Sequence, residues 1–361
     1  MLKGNKGEWS EIYAFLKILE EGKLFAADEN LNKLKNKYFD VLEISRNEAK
    51  TGLKKYNITE KWGYIKISDD NNQQIEIVDR NILSGKIDKI FEEIKSASSS
   101  SFDIPIADDL MTKLYCSQIK AGSQKKADLF LKIYDSASHE SLDLGFSIKS
   151  MLGSASTLLN ASGATNFIFR INNKKVDLNG INKIVGKSKI RDRMEQIIKE
   201  GGSIEYSGTD NPIFNRNLRK IDTIFPIIIA NALLKYYRGE GANIQDLIKA
   251  LAIDKTLSHK YDLKNSDYSY KIKIFLSAIA LGMTPNKEWD GFATAHGGYI
   301  IVKENGEVLC YHLNNRDQFE EYLLNNTRLE TPSSTRHEYG VVYEEKGIQY
   351  IKLNLQIRFI K

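Results

Sequence analysis

Asp128 and Lys149 are the pair in this chain whose types and spacing best suit chemistry. Asp128 lies in Lys126–Asp135 (KADLFLKIYD) and Lys149 in Leu142–Ser150 (LDLGFSIKS), two strand-like runs joined by SASHES. These runs predict a β-hairpin, and antiparallel pairing that sets Asp128 opposite Lys149 also sets Phe130 opposite Ser147. A two-residue slip would keep acid and lysine on one face, whereas a one-residue slip would separate them. A carboxylate and an ammonium held this way suit metal-dependent phosphodiester cleavage. The acid holds a divalent cation, and the lysine orients the attacking water and offsets charge building on the phosphate. The ordinary alternative is a surface acid at a strand start and a solvated lysine at a strand end.

The second strand buries Leu142, Leu144, Phe146 and Ile148, so Asp143, Gly145, Ser147 and Lys149 share the other face. Ser147 stands two before Lys149, where a second acid would be expected, and a hydroxyl does not replace a carboxylate as a strong metal ligand. The missing acid must then come from elsewhere. Wound as a helix, Trp9–Leu19 places Trp9, Ile12, Phe15, Leu16, Ile18 and Leu19 around most of its circumference, with Glu11 inside the apolar arc. A carboxylate there needs a partner, either a metal cation or a buried lysine or arginine. Glu8 is nearby, but Asn5-x-x-Glu8 also has capping-box spacing. Gln124 and Lys126, just upstream of Asp128, are candidates for a supporting shell.

The elements that must position these residues are spread along 361 residues, enough to bury a sizeable core. Helix is expected over Glu8–Glu21, strands at VLEISR and YIKIS, and a linker at Ser96–Ser101. Residues 212–283 read as mainly helical. Asn305-Gly306 marks a hairpin turn within YIIVKENGEVLCYHL, and Ile348–Phe359 alternates like a strand. The expected class is mixed α/β, divided as 1–100, 101–210 and 211–361.

Hydrophobic content of 42% with 27% charged residues is that of a globular chain, and a net charge of +5 points only weakly to a polyanionic partner. Two cysteines, Cys116 and Cys310, form no disulfide framework or zinc pattern. With no signal peptide and no apolar run long enough to span a bilayer, a soluble cytoplasmic protein is expected. No GxxxxGK[ST] occurs, which disfavours a nucleotide-driven motor and any need for ATP.

Asp128 with Ser147-Ile148-Lys149 resembles a variant of the PD-(D/E)xK nuclease core, a central mixed sheet flanked by helices. KGEWSEIYAFLKIL is similar to the helix of such nucleases in which a Lys-Gly pair precedes a metal-binding glutamate, here Glu11. The resemblance narrows to the HpaII family of type II restriction endonucleases. It is carried by GNKGEWSEIY (Gly4–Tyr13), by GFSIKSMLGSASTLLNASGATNF (Gly145–Phe167), and by segments from GGYIIVKENGEVLCYHL through PSSTRHEYG to KLNLQIRF (Gly297–Phe359).

That family implies a magnesium-dependent endonuclease that cuts double-stranded DNA at CCGG, acts as a homodimer on its palindrome, and is paired with a cognate methyltransferase. Carried onto this chain, Glu11, Asp128 and the Ile148 carbonyl would hold Mg²⁺, and Lys149 would support the nucleophile. Ser147 would occupy the degenerate position of the motif. The segments outside the core would serve DNA recognition. Arg336 and His337 are the preferred base or phosphate contacts, with Asn160, Ser162, Thr165 and Asn166 as further candidates. For these last four the ordinary reading is turn and cap chemistry. Two other functions fit the same residues: a junction or repair nuclease, and a catalytically silent DNA-binding protein.

Overall fold

The computed structural model describes residues 2–59, 63–122, 127–135, 139–312 and 316–360, so Gln124 and Lys126 lie outside the described residues. In chain order the elements begin with α1 (Lys6–Glu21), β1 (Lys23–Ala27), β2 (Lys33–Glu48), β3 (Gly52–Thr59), β4 (Tyr64–Ser68) and β5 (Gln74–Asp79). Next come α2 (Ile87–Ser96), α3 (Pro105–Lys113), β6 (Leu129–Asp135), β7 (Glu140–Ser150), β8 (Thr157–Leu159), β9 (Asn166–Asn172), α4 (Leu178–Asn182), α5 (Lys189–Lys199) and β10 (Ser203–Thr209). A helical stretch follows with α6 (Pro212–Ile221), α7 (Phe225–Arg238), α8 (Ile244–Ile253), α9 (Lys255–Tyr261) and α10 (Asn265–Leu281). The chain closes with β11 (Gly298–Val302), β12 (Val308–His312), α11 (Arg316–Asn325), β13 (Thr327–Leu329), β14 (Val342–Glu345), β15 (Ile348–Asn354) and β16 (Ile357–Phe359). The mixed α/β expectation holds, with a central mixed sheet and flanking helices.

Contacts group the chain into two units that cut across the expected three consecutive stretches. The first holds residues 1–156 and 293–319, the second 157–292 and 320–360. The reason lies in the β11–β12 hairpin. Gly298–Val302 pairs in parallel with Phe146–Ser150 of β7, and this long-range pairing draws residues from late in the chain into the first unit. The SASSSS stretch is therefore a loop within one unit rather than a boundary.

The first unit is built on a nine-stranded sheet of order β1-β12-β11-β7-β6-β2-β3-β4-β5. The β1–β12 and β11–β7 pairs are parallel and the rest antiparallel. Because β1 also pairs with the first half of β2, the strands β1, β12, β11, β7, β6 and β2 form a closed ring. Helix α1 packs on this sheet. Trp9, Ile12, Phe15, Leu16, Ile18 and Leu19 are all at most 1% exposed and share a core with Leu129, Leu131, Phe146, Ile148 and Ile300. Each such side chain contributes roughly 2 kcal/mol of burial energy, so the helix is held far more firmly than its propensities alone would hold it.

The second unit contains a four-stranded antiparallel sheet, β10-β9-β15-β14, and a three-stranded one, β13-β16-β8. Here the alternating run Ile348–Phe359 is not one strand. It breaks after Asn354 and its halves join different sheets. The pivot is Asn354 itself, fully buried, whose side-chain amide donates to Ser162 O, Thr165 Oγ1 and Asn166 Oδ1.

Candidate active site

The hairpin of β6 and β7 forms, but its register differs by two residues from the expected one. Leu129 pairs with Phe146 and Phe130 with Gly145 rather than Ser147, so Asp128 comes level with Ser147 and diagonal to Lys149. Parity is preserved, and acid and lysine still share a face. Strand β6 begins only at Leu129, so Asp128 stands just beyond its end, beside an open edge of β7. Its backbone N–H donates to Phe146 O at 2.8 Å. Among the described residues no strand continues β6 there, and the Asp128 side chain bonds β7 instead, with Oδ2 accepting from Ile148 N at 2.8 Å and from Ser147 Oγ at 3.2 Å. Ser147, 8% exposed, thus braces the acid. Two hydrogen bonds on one oxygen restrain the carboxylate. Since N–H and C=O of one strand residue point to the same side, the Ile148 carbonyl faces the same open edge.

Gly145 makes this geometry possible. A Cβ there would stand 2.8 Å from the Ala127 methyl and 3.0 Å from the Phe130 ring, so the approach to Asp128 depends on its absence. Gly145→Ala is expected to push Ala127 and Asp128 aside, lowering cleavage by at least tenfold while the far-ultraviolet circular dichroism spectrum stays unchanged. A plasmid digestion time course checks this.

Glu11 reaches the same place from α1. A capping box starts the helix, with Glu8 N donating to Asn5 Oδ1 (3.0 Å) and Asn5 N to Glu8 Oε2 (2.9 Å), so the cap reading of Glu8 holds. The turn carrying Glu11 is then pinned twice. Trp9 Nε1 donates to Phe102 O at 2.9 Å, and Ser10 Oγ shares a 2.8 Å hydrogen bond with Ser150 Oγ at the end of β7. Glu11 is half-buried. Its carboxyl is raised from the usual 4.5 to about 7, chiefly by desolvation and next by the Asp128 charge; Glu8 adds a little, while Lys120 and Lys149 pull the other way. The two lysines do not outweigh burial, so Glu11 is not the settled half of an ion pair. With Ser10 bonded to the end of β7, the Glu11 carboxyl feels the charges of both Asp128 and Lys149, and the Lys149 ammonium also stands 5.8 Å from the Tyr299 ring centroid.

Lys120 was not singled out from the sequence. It lies on an irregular segment after α3, and no local pattern marks it. Among the described residues no three His, Cys, Asp or Glu side chains cluster as a metal site. The donors available to a cation are two carboxylates and a backbone carbonyl, all hard oxygens. That set suits a divalent cation that keeps several waters.

The DNA-contact candidates all fall in the second unit. Arg336 and Asn160 are exposed, and His337 and Ser162 are half-buried. Thr165 and Asn166 are at most 1% exposed, and their polar atoms are engaged within the fold. Thr165 Oγ1 donates to Ser162 O and accepts from Ser162 N, and Asn166 Nδ2 donates to Asp210 Oδ2 and His337 O. Thr165 thus forms a capping box with Ser162, and the Asn166 amide is bonded within the fold. Their burial ties the 162–166 turn to the loop that displays Arg336.

Comparison with known proteins settles the class. The model of the HpaII restriction endonuclease family matches residues 5–359. The chain belongs to that family. It is 39% identical over 367 residues to the type II restriction enzyme HpaII of Haemophilus parainfluenzae, covering 99% of this chain and 98% of that protein. This member of the family is accordingly a restriction endonuclease, a site-specific deoxyribonuclease that binds and cuts DNA. Enzymes of this type generally need a divalent metal. No solved structure matches the chain. Among the described residues, no helix is long and apolar enough to cross a membrane.

Proposed function

We propose that the enzyme hydrolyses double-stranded DNA at CCGG with Mg²⁺, leaving 5′-phosphates, from a variant PD-(D/E)xK site. The Ser10–Ser150 bond that joins α1 to the end of β7, next to the strand edge where Asp128 is anchored, carries this reading, and the charges of Asp128 and Lys149 both act on Glu11. Glu11, Asp128 and the Ile148 carbonyl would hold the cation. When bound, the cation supplies charge neutralisation at the scissile phosphate and an acidified water. Ser147 and the Ile148 N–H hold the Asp128 carboxylate in one orientation. Lys149 offers an ammonium that orients water by hydrogen bonding and offsets the charge growing on the phosphate oxygens. In this reading Ser147 is a brace, and Glu11 supplies the second acid that the motif lacks.

A palindromic site calls for a two-fold homodimer on DNA, each protomer cutting one strand, and the host would be protected by a cognate methyltransferase. Arg336 is the preferred reader of guanine O6 and N7, where a bidentate pair contributes about 1–3 kcal/mol of discrimination. Arg336→Ala is accordingly expected to weaken binding to a CCGG duplex by about 10- to 100-fold and to leave binding to unrelated DNA nearly unchanged, read by titration of labelled duplexes. The recognition sequence itself is tested by sequencing the fragment ends of a fully digested plasmid. Ends confined to CCGG support the proposal, and ends at another tetranucleotide or at branched junctions overturn it.

A further inference from the structure

Arg46 and Glu48 are two charged side chains on the inward face of β2, at most 3% exposed, where a strand ordinarily places apolar residues. They bond each other, and their further hydrogen bonds run to the segment 117–119. Arg46 donates to Gln118 O and Ile119 O, both at 2.6 Å, while Glu48 Oε2 accepts from Ser117 N at 2.6 Å and Ser117 Oγ at 2.8 Å. Asn47 between them continues the attachment. Gly122 N donates to its carbonyl at 2.8 Å, and its side chain donates to Gly122 O at 3.3 Å. A buried ion pair is seldom more stabilising than apolar side chains of the same size, so its retention points to a positional role. Here the role is evident in the contacts. A segment without regular structure is fastened at Ser117, Gln118, Ile119 and Gly122, and the residue displayed between these anchors is Lys120, exposed.

The same pair touches α1. The Arg46 guanidinium lies 5.7 Å from the Phe15 ring centroid, and Phe15 is one turn along the helix from Glu11, on the same face. Ile119 packs at the other end, so close to Gly4 that a Cβ on Gly4 would stand 2.9 Å from its Cδ1. Lys120 is thus held beside the turn that carries Glu11, and its charge acts on that carboxylate.

We infer that Lys120 is a second phosphate-contacting cation of the cleavage site, and that the buried Arg46–Glu48 pair is the device that positions it. The inference rests on the site proposed above. Both Lys120 and Lys149 act on Glu11, and a second ammonium there would grip the scissile strand by its phosphates.

The test uses the full-length enzyme and measures single-turnover cleavage, the salt dependence of duplex binding without metal, and melting temperature. Lys120→Ala is expected to lower the cleavage rate at least 30-fold and to reduce the slope of log Kd against log salt by about one, with melting within 2 °C. Lys120→Arg should restore both to within a fewfold. Loosening the segment from both sides of its attachment with Ser117→Ala and Asn47→Ala should slow cleavage about tenfold, and adding Lys120→Ala should then cost less than it does alone.

Wild-type cleavage and salt slope in Lys120→Ala would overturn the inference, as would full additivity with the loosened segment. Asp128→Ala and Lys149→Ala are run alongside. If they are inactive while Lys120→Ala is normal, only the Lys120 assignment fails. If they too cut normally, the underlying site is wrong.

Discussion

Asp128→Ala and Lys149→Ala are each expected to abolish cleavage, by at least a thousandfold in single-turnover rate, while DNA binding stays measurable by mobility shift. The two losses have different origins. Asp128 accepts from Ile148 N and Ser147 Oγ, so its removal takes away the proposed cation ligand and also frees a backbone N–H. A loss of roughly 1–2 kcal/mol in stability should accompany it. Lys149 is half-buried at a strand end and bears no comparable structural duty, so Lys149→Ala should melt within a degree or two of the parent. Retained cutting by Asp128→Ala at ordinary Mg²⁺ refutes the assignment.

Glu11→Gln should separate a ligand from a structural ion pair through opposite signs. The carboxyl lies at about 7, above its usual 4.5, because burial and the Asp128 charge oppose ionisation. The folded protein without metal therefore binds more protons than the unfolded chain between those values. Stability from the neutral form is fully present below about pH 4.5 and is lost as the pH rises through 7. A shift of that size corresponds to about 3 kcal/mol at most, and less where solvent reaches the half-buried group. Glu11→Gln removes the penalty, so at pH 8 in chelator it should melt several degrees above the parent yet cut DNA at least a thousandfold more slowly. A structural ion pair predicts the reverse, a destabilised but active protein. Thermal melts at pH 5 and pH 8 check the sign, since the advantage of the variant should shrink at the lower pH.

Much of this site was legible because local alternation carries it. The two hairpin strands, the buried arc of α1 and the odd position of Glu11 all follow from periodicity. The register did not, because it depends on where β6 begins and on the close approach of Ala127 and Phe130 to Gly145, which alternation does not encode. Strand order was equally hidden. The parallel β11–β7 and β1–β12 pairs join residues over a hundred positions apart, and no local pattern encodes them.

Lys120 went unseen because its placement is decided on β2. A signal did exist there, since Ile44, Arg46 and Glu48 alternate onto one face and two charges on an apolar face ask for a partner. The strand Ile348–Phe359 misled for the opposite reason. Its alternation is continuous, but the hydrogen bonds of Asn354 redirect the chain between sheets.

The most direct test of a shared ion is Mn²⁺ binding followed by electron paramagnetic resonance. It is best done on the Lys149→Ala enzyme bound to a duplex carrying its own cleavage site, so that the DNA stays intact. One tight ion per protomer should be seen, lost in Glu11→Gln and equally in Asp128→Asn, with no further loss when both are combined. Unchanged tight binding in Glu11→Gln would mean that the first helix and the hairpin do not hold one cation between them.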